Sequence, residues 1–193
     1  HLLQAALKQV VDEGIGQAGS LVNFDRMRFD FHCSRAVKPE ELEQIETLIN
    51  GWISDAQSLE VNEMAIDQAK AAGAVAMFGE KYADVVRVVD VPGVSMELCG
   101  GTHVERTGDI SLLKILSESA VAGGVRRVEA VTHQGAVAWI EARDAILTKT
   151  ADLLKVAPEQ LTERVAQLVE DRKKADRDMS QLRRKILTAG ASN

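Results

Sequence analysis

Cys99 and His103 lie four positions apart in this chain, separated by Gly100, Gly101 and Thr102. Thiolate and imidazole are the ligands zinc takes most readily, and a thiolate beside a histidine selects zinc over magnesium or calcium. The two glycines make a helix costly here, so the segment reads as a tight turn after a strand, on which both side chains can converge. Two ligands do not make a site, and the competing reading is a buried cysteine beside a histidine in a glycine turn. His1, at the head of an apolar helix, is a third ligand candidate, because a helical histidine can offer one nitrogen to a metal while an acceptor holds the other. The plainer reading of His1 is a frayed terminal residue. His32, His133 and Cys33 have no partner at metal spacing and read as surface or structural side chains.

Elements of two periods must position these residues. Residues 1–11 combine helix formers with apolar positions at Leu3, Leu7, Val10 and Val11, which predicts a helix with one buried face. Glycines at 14, 16 and 19 break it over residues 12–20. Met27-Arg28-Phe29-Asp30-Phe31 alternates with period two, as a half-buried strand does. Pro39 opens a helix whose stripe of Leu42, Ile45, Leu48, Ile49, Trp52 and Ile53 runs to residue 55. Strands are expected at 58–64, 85–91, 94–98, 110–118 and 125–132, with a short helix at 67–72. From Ala136 helix formers dominate. After Ala157-Pro158-Glu159 a last helix carries Leu161, Val165, Leu168, Arg172, Ala175, Met179, Leu182 and Ile186 at alternating spacings of four and three, a heptad seam weakened by Arg172. The expected fold class is α+β: a mostly antiparallel sheet packed with helices over residues 1–135, followed over 136–193 by a helical arm with a coiled-coil-like seam, either a hairpin or an arm that pairs with a second copy.

The chain has 193 residues and a net charge of −6. Residues 1–135 hold 12 Lys/Arg against 20 Asp/Glu, and residues 136–193 hold 11 against 9. An acidic first part argues against nucleic-acid binding through a general basic field, so a nucleic-acid partner must be met by local contacts or with help from residues outside this chain. No apolar run approaches the ~20 residues of a membrane span, and no leader opens the chain, which predicts no membrane partner. Two cysteines make no disulfide framework, in keeping with a reducing compartment. The chain opens on His1 rather than Met, as a segment of a longer protein would.

Six blocks occur in order: Gln17-Ala18-Gly19-Ser20; Arg28-Phe29-Asp30-Phe31; Ala72-Gly73-Ala74 through Phe78-Gly79-Glu80-Lys81-Tyr82; Glu97-Leu98-Cys99-Gly100-Gly101-Thr102-His103-Val104; Thr107-Gly108-Asp109-Ile110; and Gly124-Val125-Arg126-Arg127-Val128-Glu129-Ala130. Together they closely resemble the editing domain of the alanyl-tRNA synthetases over residues 1–135, and the arm resembles the start of that family's C-terminal region. The Cys-Gly-Gly-Thr-His block favours the alanyl family over the threonyl one, which shares the metal spacing.

The resemblance implies one Zn2+ held by a His-x-x-x-His pair on the first helix and the Cys-x-x-x-His pair. Cys99 and His103 match the second pair, His1 matches the second histidine of the first, and the remaining ligand is expected four residues upstream of His1. It implies hydrolysis of the ester of seryl- and glycyl-tRNA(Ala), with tRNA(Ala), and its 3′ acceptor end in particular, as partner. The need is physical: a pocket shaped for a methyl group admits glycine and cannot strongly reject an added hydroxyl, so a second site destroys the wrong product. Gln17 and Cys99 are the expected catalytic residues. Gln17, in the loop after the first helix, has an amide that can donate to a serine hydroxyl or orient a water; a loop-capping glutamine is the alternative. Arg126 and Arg127 are candidates for phosphate contacts to tRNA, against a reading in which strand alternation sends one of them to solvent and the other to a salt bridge. The Glu80-Lys81-Tyr82 turn borders the pocket or is a plain solvated loop. No Walker-type loop and no ATP-binding block is present, so the chain is expected to edit and not to charge tRNA. A cytoplasmic location, or an organelle stroma or matrix, and homo-oligomerisation through the C-terminal region complete the implied picture. The rival readings are a free-standing trans-editing protein and a non-catalytic tRNA-binding or dimerisation module with structural zinc.

Overall fold

The computed structural model describes residues 1–76 and 82–190, with side chains to residue 187. The block at Phe78–Lys81 therefore lies outside the described residues. The chain forms two compact units, His1–Ala138 and Trp139–Asn193.

The first unit is built on two antiparallel sheets. β1 (Gln17–Val22), β2 (Met27–His32), β6 (Leu113–Ala122) and β7 (Val125–Thr132) make a four-stranded sheet in the order β1-β2-β7-β6. β3 (Glu60–Ala65), β4 (Val85–Val91) and β5 (Ser95–Leu98) make a three-stranded sheet in that order. The alternation of β2 sends Phe29 and Phe31 into the core and Arg28 and Asp30 to the other face. α1 (Leu2–Val10) and α2 (Pro39–Ser54) cover the inner face, and Leu3, Leu7, Ile45, Ile49, Ile53, Phe31 and Val128 form one core. A second, smaller core under α3 (Ile66–Ala71) gathers Ala69, Val86, Val88 and Leu98.

α2 begins with Pro39 in its first turn, and the Glu41 carboxylate accepts the Lys38 N–H at 2.8 Å while receiving both Arg35 guanidinium nitrogens at 2.7 Å. Further along the helix, Asn50 exchanges two 2.9 Å hydrogen bonds with the backbone of Leu113, and Glu46 accepts the Ile115 N–H at 2.7 Å. Helix side chains thereby supply the partners that a neighbouring strand would have given the start of β6.

Three expectations are corrected here. Gln17 is the first residue of strand β1 rather than part of a loop; its glycine-rich segment has no strand propensity, and pairing with β2, with a register shift between Gln17 and Gly19, orders it. The expected strand at 110–118 divides into a 3-10 turn at Thr107–Ile110 and β6, because Ser111, at φ 68°, turns the chain between them. The helical arm starts earlier than Ala136, with α4 spanning His133–Leu154.

The second unit contains the rest of α4, a 3-10 turn at Pro158–Gln160 and α5 (Leu161–Gly190). Among the described residues α4 and α5 make no extended contact with each other, so the hairpin form of the arm does not occur. The heptad stripe is open to solvent instead, with Leu182 58% and Ile186 70% exposed. Lys155, at φ 53° after α4, sets the break that separates the two helices.

Candidate metal centre and its cleft

α1 presents His1, and the turn after β5 presents Cys99 and His103. The three ligand atoms lie within 4.8 Å of one another, and the imidazoles of His1 and His103 meet edge to face with centroids 4.8 Å apart. Two ligands of one tetrahedral zinc sit about 3.5 Å apart, so the loosest pair would close by roughly 1 Å. His1 Nδ1 and His103 Nε2 are both buried without a hydrogen-bond partner, which is how metal-facing nitrogens look before a cation satisfies them. At Gly101 a Cβ would stand 3.5 Å from Cys99 Sγ and 3.8 Å from His103 Nε2, so a side chain there would crowd the cluster. The donor set and its surroundings fit a zinc ion.

Burial, more than any other influence, pushes the His103 imidazole below its ordinary pKa; the positive charge of Arg87 acts in the same direction, and Glu97 opposes it. His103 is thus held neutral with a lone pair to offer, as a ligand must be.

Sequence reasoning missed the residue that shapes this turn. The Arg87 carbonyl accepts the Cys99 N–H at 3.1 Å, and its Nη1 donates at 2.7 Å to the carbonyls of both Cys99 and Gly101. The available signal was one of two charges, Arg87 and Asp90, inside the valine run of β4, which a buried strand retains only with partners. Gln4 and Glu97 were missed as well; both are buried polar side chains that line the same cleft.

The cleft has a volume of about 620 Å³, and its wall includes His1, Cys99, His103, Gln17 and Ser20. From the start of β1, Gln17 donates its Nε2 to Ser20 Oγ at 2.9 Å. A flexible amide and a hydroxyl thus face the same space as the ligand cluster.

Arg126 and Arg127 do not belong to this wall. Arg126 makes a two-pronged ion pair with Glu118, its Nη2 2.6 Å from Oε2, and Arg127 does the same with Asp30 at 2.7 and 2.8 Å. Both guanidiniums are occupied by carboxylates of neighbouring strands, which corrects the expectation that alternation would leave one of them in solvent: each makes a salt bridge.

A family model described as the threonyl and alanyl tRNA synthetase second additional domain matches residues 86–129, which span β4, β5, the cysteine–histidine turn and most of β7. The alanine–tRNA ligase of Synechococcus sp. strain CC9311 is 69% identical over 189 residues, covering 98% of this chain and 21% of the ligase. That of Synechococcus sp. strain CC9605 is 66% identical over 173 residues, covering 90% and 20%, and that of Prochlorococcus marinus strain MIT 9313 is 62% identical over 189 residues, covering 98% and 21%. The chain spans about a fifth of the length of the curated relatives it matches.

Proposed function

We propose, from the premise that this chain belongs to the alanyl-tRNA synthetase family as one segment of it, that the segment hydrolyses the ester of seryl- and glycyl-tRNA(Ala). The observation that carries this reading is the meeting of His1, Cys99 and His103 on a cleft that Gln17 and Ser20 also line. His1, Cys99 and His103 would hold zinc, together with the histidine that the family resemblance puts four residues before His1. Bound zinc supplies a Lewis acid beside the ester of the tRNA 3′ end.

The chain's own residues do the rest. Gln17 gives up its bond to Ser20 and offers the amide to the serine hydroxyl of the substrate, or to a water beside it. An alanyl ester has no hydroxyl with which to repay that exchange; a glycyl ester has none either, so the Gln17 contact accounts for the release of serine and not of glycine. Once the bound substrate covers the amide, a polar group left unpaired costs about 1–3 kcal/mol, which corresponds to roughly 5- to 150-fold discrimination. Arg87, by clamping the turn, keeps Cys99 and His103 facing the cleft.

The partner in this reading is the acceptor end of tRNA(Ala), and the location is the cytoplasm, where tRNA is charged. Among the described residues no helix is long and apolar enough to cross a membrane. The open stripe on α5 suits a partner helix, in keeping with homo-oligomerisation through the C-terminal region.

The test is deacylation of seryl-tRNA(Ala), glycyl-tRNA(Ala) and alanyl-tRNA(Ala) by the chain extended upstream to include the fourth ligand. Release of serine and glycine with sparing of alanine is expected. Equal rates for all three, or none above the uncatalysed background, would exclude editing by this segment.

A further inference from the structure

We infer that Glu97 is a positioning residue for the metal centre: its carboxylate takes the Nε2–H of His1 and so turns Nδ1 toward the metal. The inference rests on the zinc reading above and concerns a residue that reading does not use. Glu97 is buried, 8% exposed as a residue. Its oxygens lie outside the ligand-atom cluster, so it is not itself a ligand there. The Ser95 hydroxyl donates to Oε1 at 2.8 Å and fixes the carboxylate, while Oε2 stands 3.9 Å from His1 Nε2. The backbone beneath it is held from both sides, since Glu97 pairs with Val89 of β4 and bridges to Val75 on the opposite edge.

Two facts make this arrangement directional. The nitrogen of His1 nearest Glu97 is Nε2, and the other nitrogen, Nδ1, is buried with no partner. An imidazole that donates from one nitrogen presents a lone pair at the other, and a carboxylate acceptor raises the basicity of that lone pair. Closing the 3.9 Å gap to hydrogen-bond length takes about 1 Å, the same scale of tightening that the ligand cluster needs. A buried carboxylate is costly without compensating charge. Arg87, the nearby cation, donates to the carbonyls of Cys99 and Gly101 and not to this carboxylate, so a metal held beyond His1 would add positive charge on the side that Arg87 does not reach.

The experiment titrates the chain extended upstream to include the fourth ligand with Co2+ as the probe, reading thiolate-to-cobalt charge-transfer absorption and affinity by chelator competition, with the melting temperature of the metal-free chain beside it. The expected result is one Co2+ bound by the parent chain, affinity about 10-fold weaker in Glu97→Gln and about 100-fold weaker in Glu97→Ala, and a metal-free melting temperature in Glu97→Gln no lower than the parent's. Glu97→Gln keeps the shape and the Ser95 bond, so it decides the matter alone if Glu97→Ala does not fold. Unchanged affinity in Glu97→Gln would overturn the inference while leaving the metal site standing. So would a lower metal-free melting temperature with affinity per folded molecule intact, because that is the mark of a purely structural role. A parent chain that binds no Co2+ would overturn the metal reading, and this inference with it.

Discussion

The outer charges of the four-stranded sheet and the polar lining of the cleft belong to one compact unit, yet they are satisfied to different degrees. On the sheet, Arg127 and Asp30, 97 residues apart in sequence, form a two-pronged pair across β7 and β2, and Arg126 pairs with Glu118 across β7 and β6. In the cleft, His1 Nδ1, Gln4 Oε1 and His103 Nε2 are buried with no partner. Each such atom costs about 1–3 kcal/mol relative to a satisfied one. On the sheet even Arg28 Nε, which has no well-aligned hydrogen bond, lies 2.9 Å from the Glu129 carboxylate, whereas the cleft carries buried polar atoms with no such partner in the described chain. The comparison separates charges that hold the fold from groups that await chemistry.

If that division is right, variants on the two sides must fail in different ways. The largest effect is expected from Cys99→Ala, which removes the thiolate from the ligand set: metal binding and seryl-tRNA hydrolysis should both be lost, with the circular dichroism of the metal-free chain unchanged. A folded Cys99→Ala that still hydrolyses seryl-tRNA would break the comparison on the cleft side. Phe31→Ala empties a fully buried aromatic position behind the sheet and should cost about 3–5 kcal/mol in denaturant unfolding, with Co2+ affinity per folded molecule unaltered.

Thr107 tests the fold side more finely. Its hydroxyl donates to the Trp52 carbonyl at 2.7 Å and accepts the Gln57 N–H at 2.9 Å, at 1% exposure. Thr107→Val should cost about 1–3 kcal/mol, because two backbone groups lose their partner together. On the cleft side, Gln17→Ala should narrow the ratio of seryl to alanyl hydrolysis by up to about 150-fold while sparing Co2+ affinity. An unchanged ratio would move discrimination elsewhere in the pocket.

The smallest effect concerns pH. Hydrogen bonds from Arg35 first, then from the Lys38 backbone, lower the Glu41 carboxyl to about 2. A carboxyl depressed in the folded state stabilises above its unfolded pKa, near 4.5, and that contribution disappears as pH falls toward 2. Glu41→Gln should therefore remove part of the acid-side loss of stability between these values and leave the profile above pH 5 parallel to the parent's. The pair is exposed at the surface, so the change in slope is expected to be modest.

Much of the fold was legible because its signals are local. The period of β2, the stripe of α2 and the valine run of β4 each state their burial within a few residues. The Gly-Gly turn between Cys99 and His103 was legible for the same reason. β1 was not, because nothing in Gln17-Ala18-Gly19-Ser20 prefers a strand, and its order comes from β2 alongside. The roles of Arg87 and Glu97 were equally hidden, since each depends on which carbonyl or imidazole the fold brings within reach.

By itself, the sequence determined the kinds of element, the apolar faces they bury and the ligand chemistry available at residues 1, 99 and 103. Only the tertiary structure decided that a helix terminus and a turn about 100 residues further on meet at one cleft, that Gln17 faces it from a strand, and that Arg126 and Arg127 are consumed by carboxylates. The physical reason is range. Periodicity and turn chemistry act over a few residues and are written in order along the chain, whereas convergence and charge pairing are set by packing between segments whose separation in sequence carries no signal of their contact.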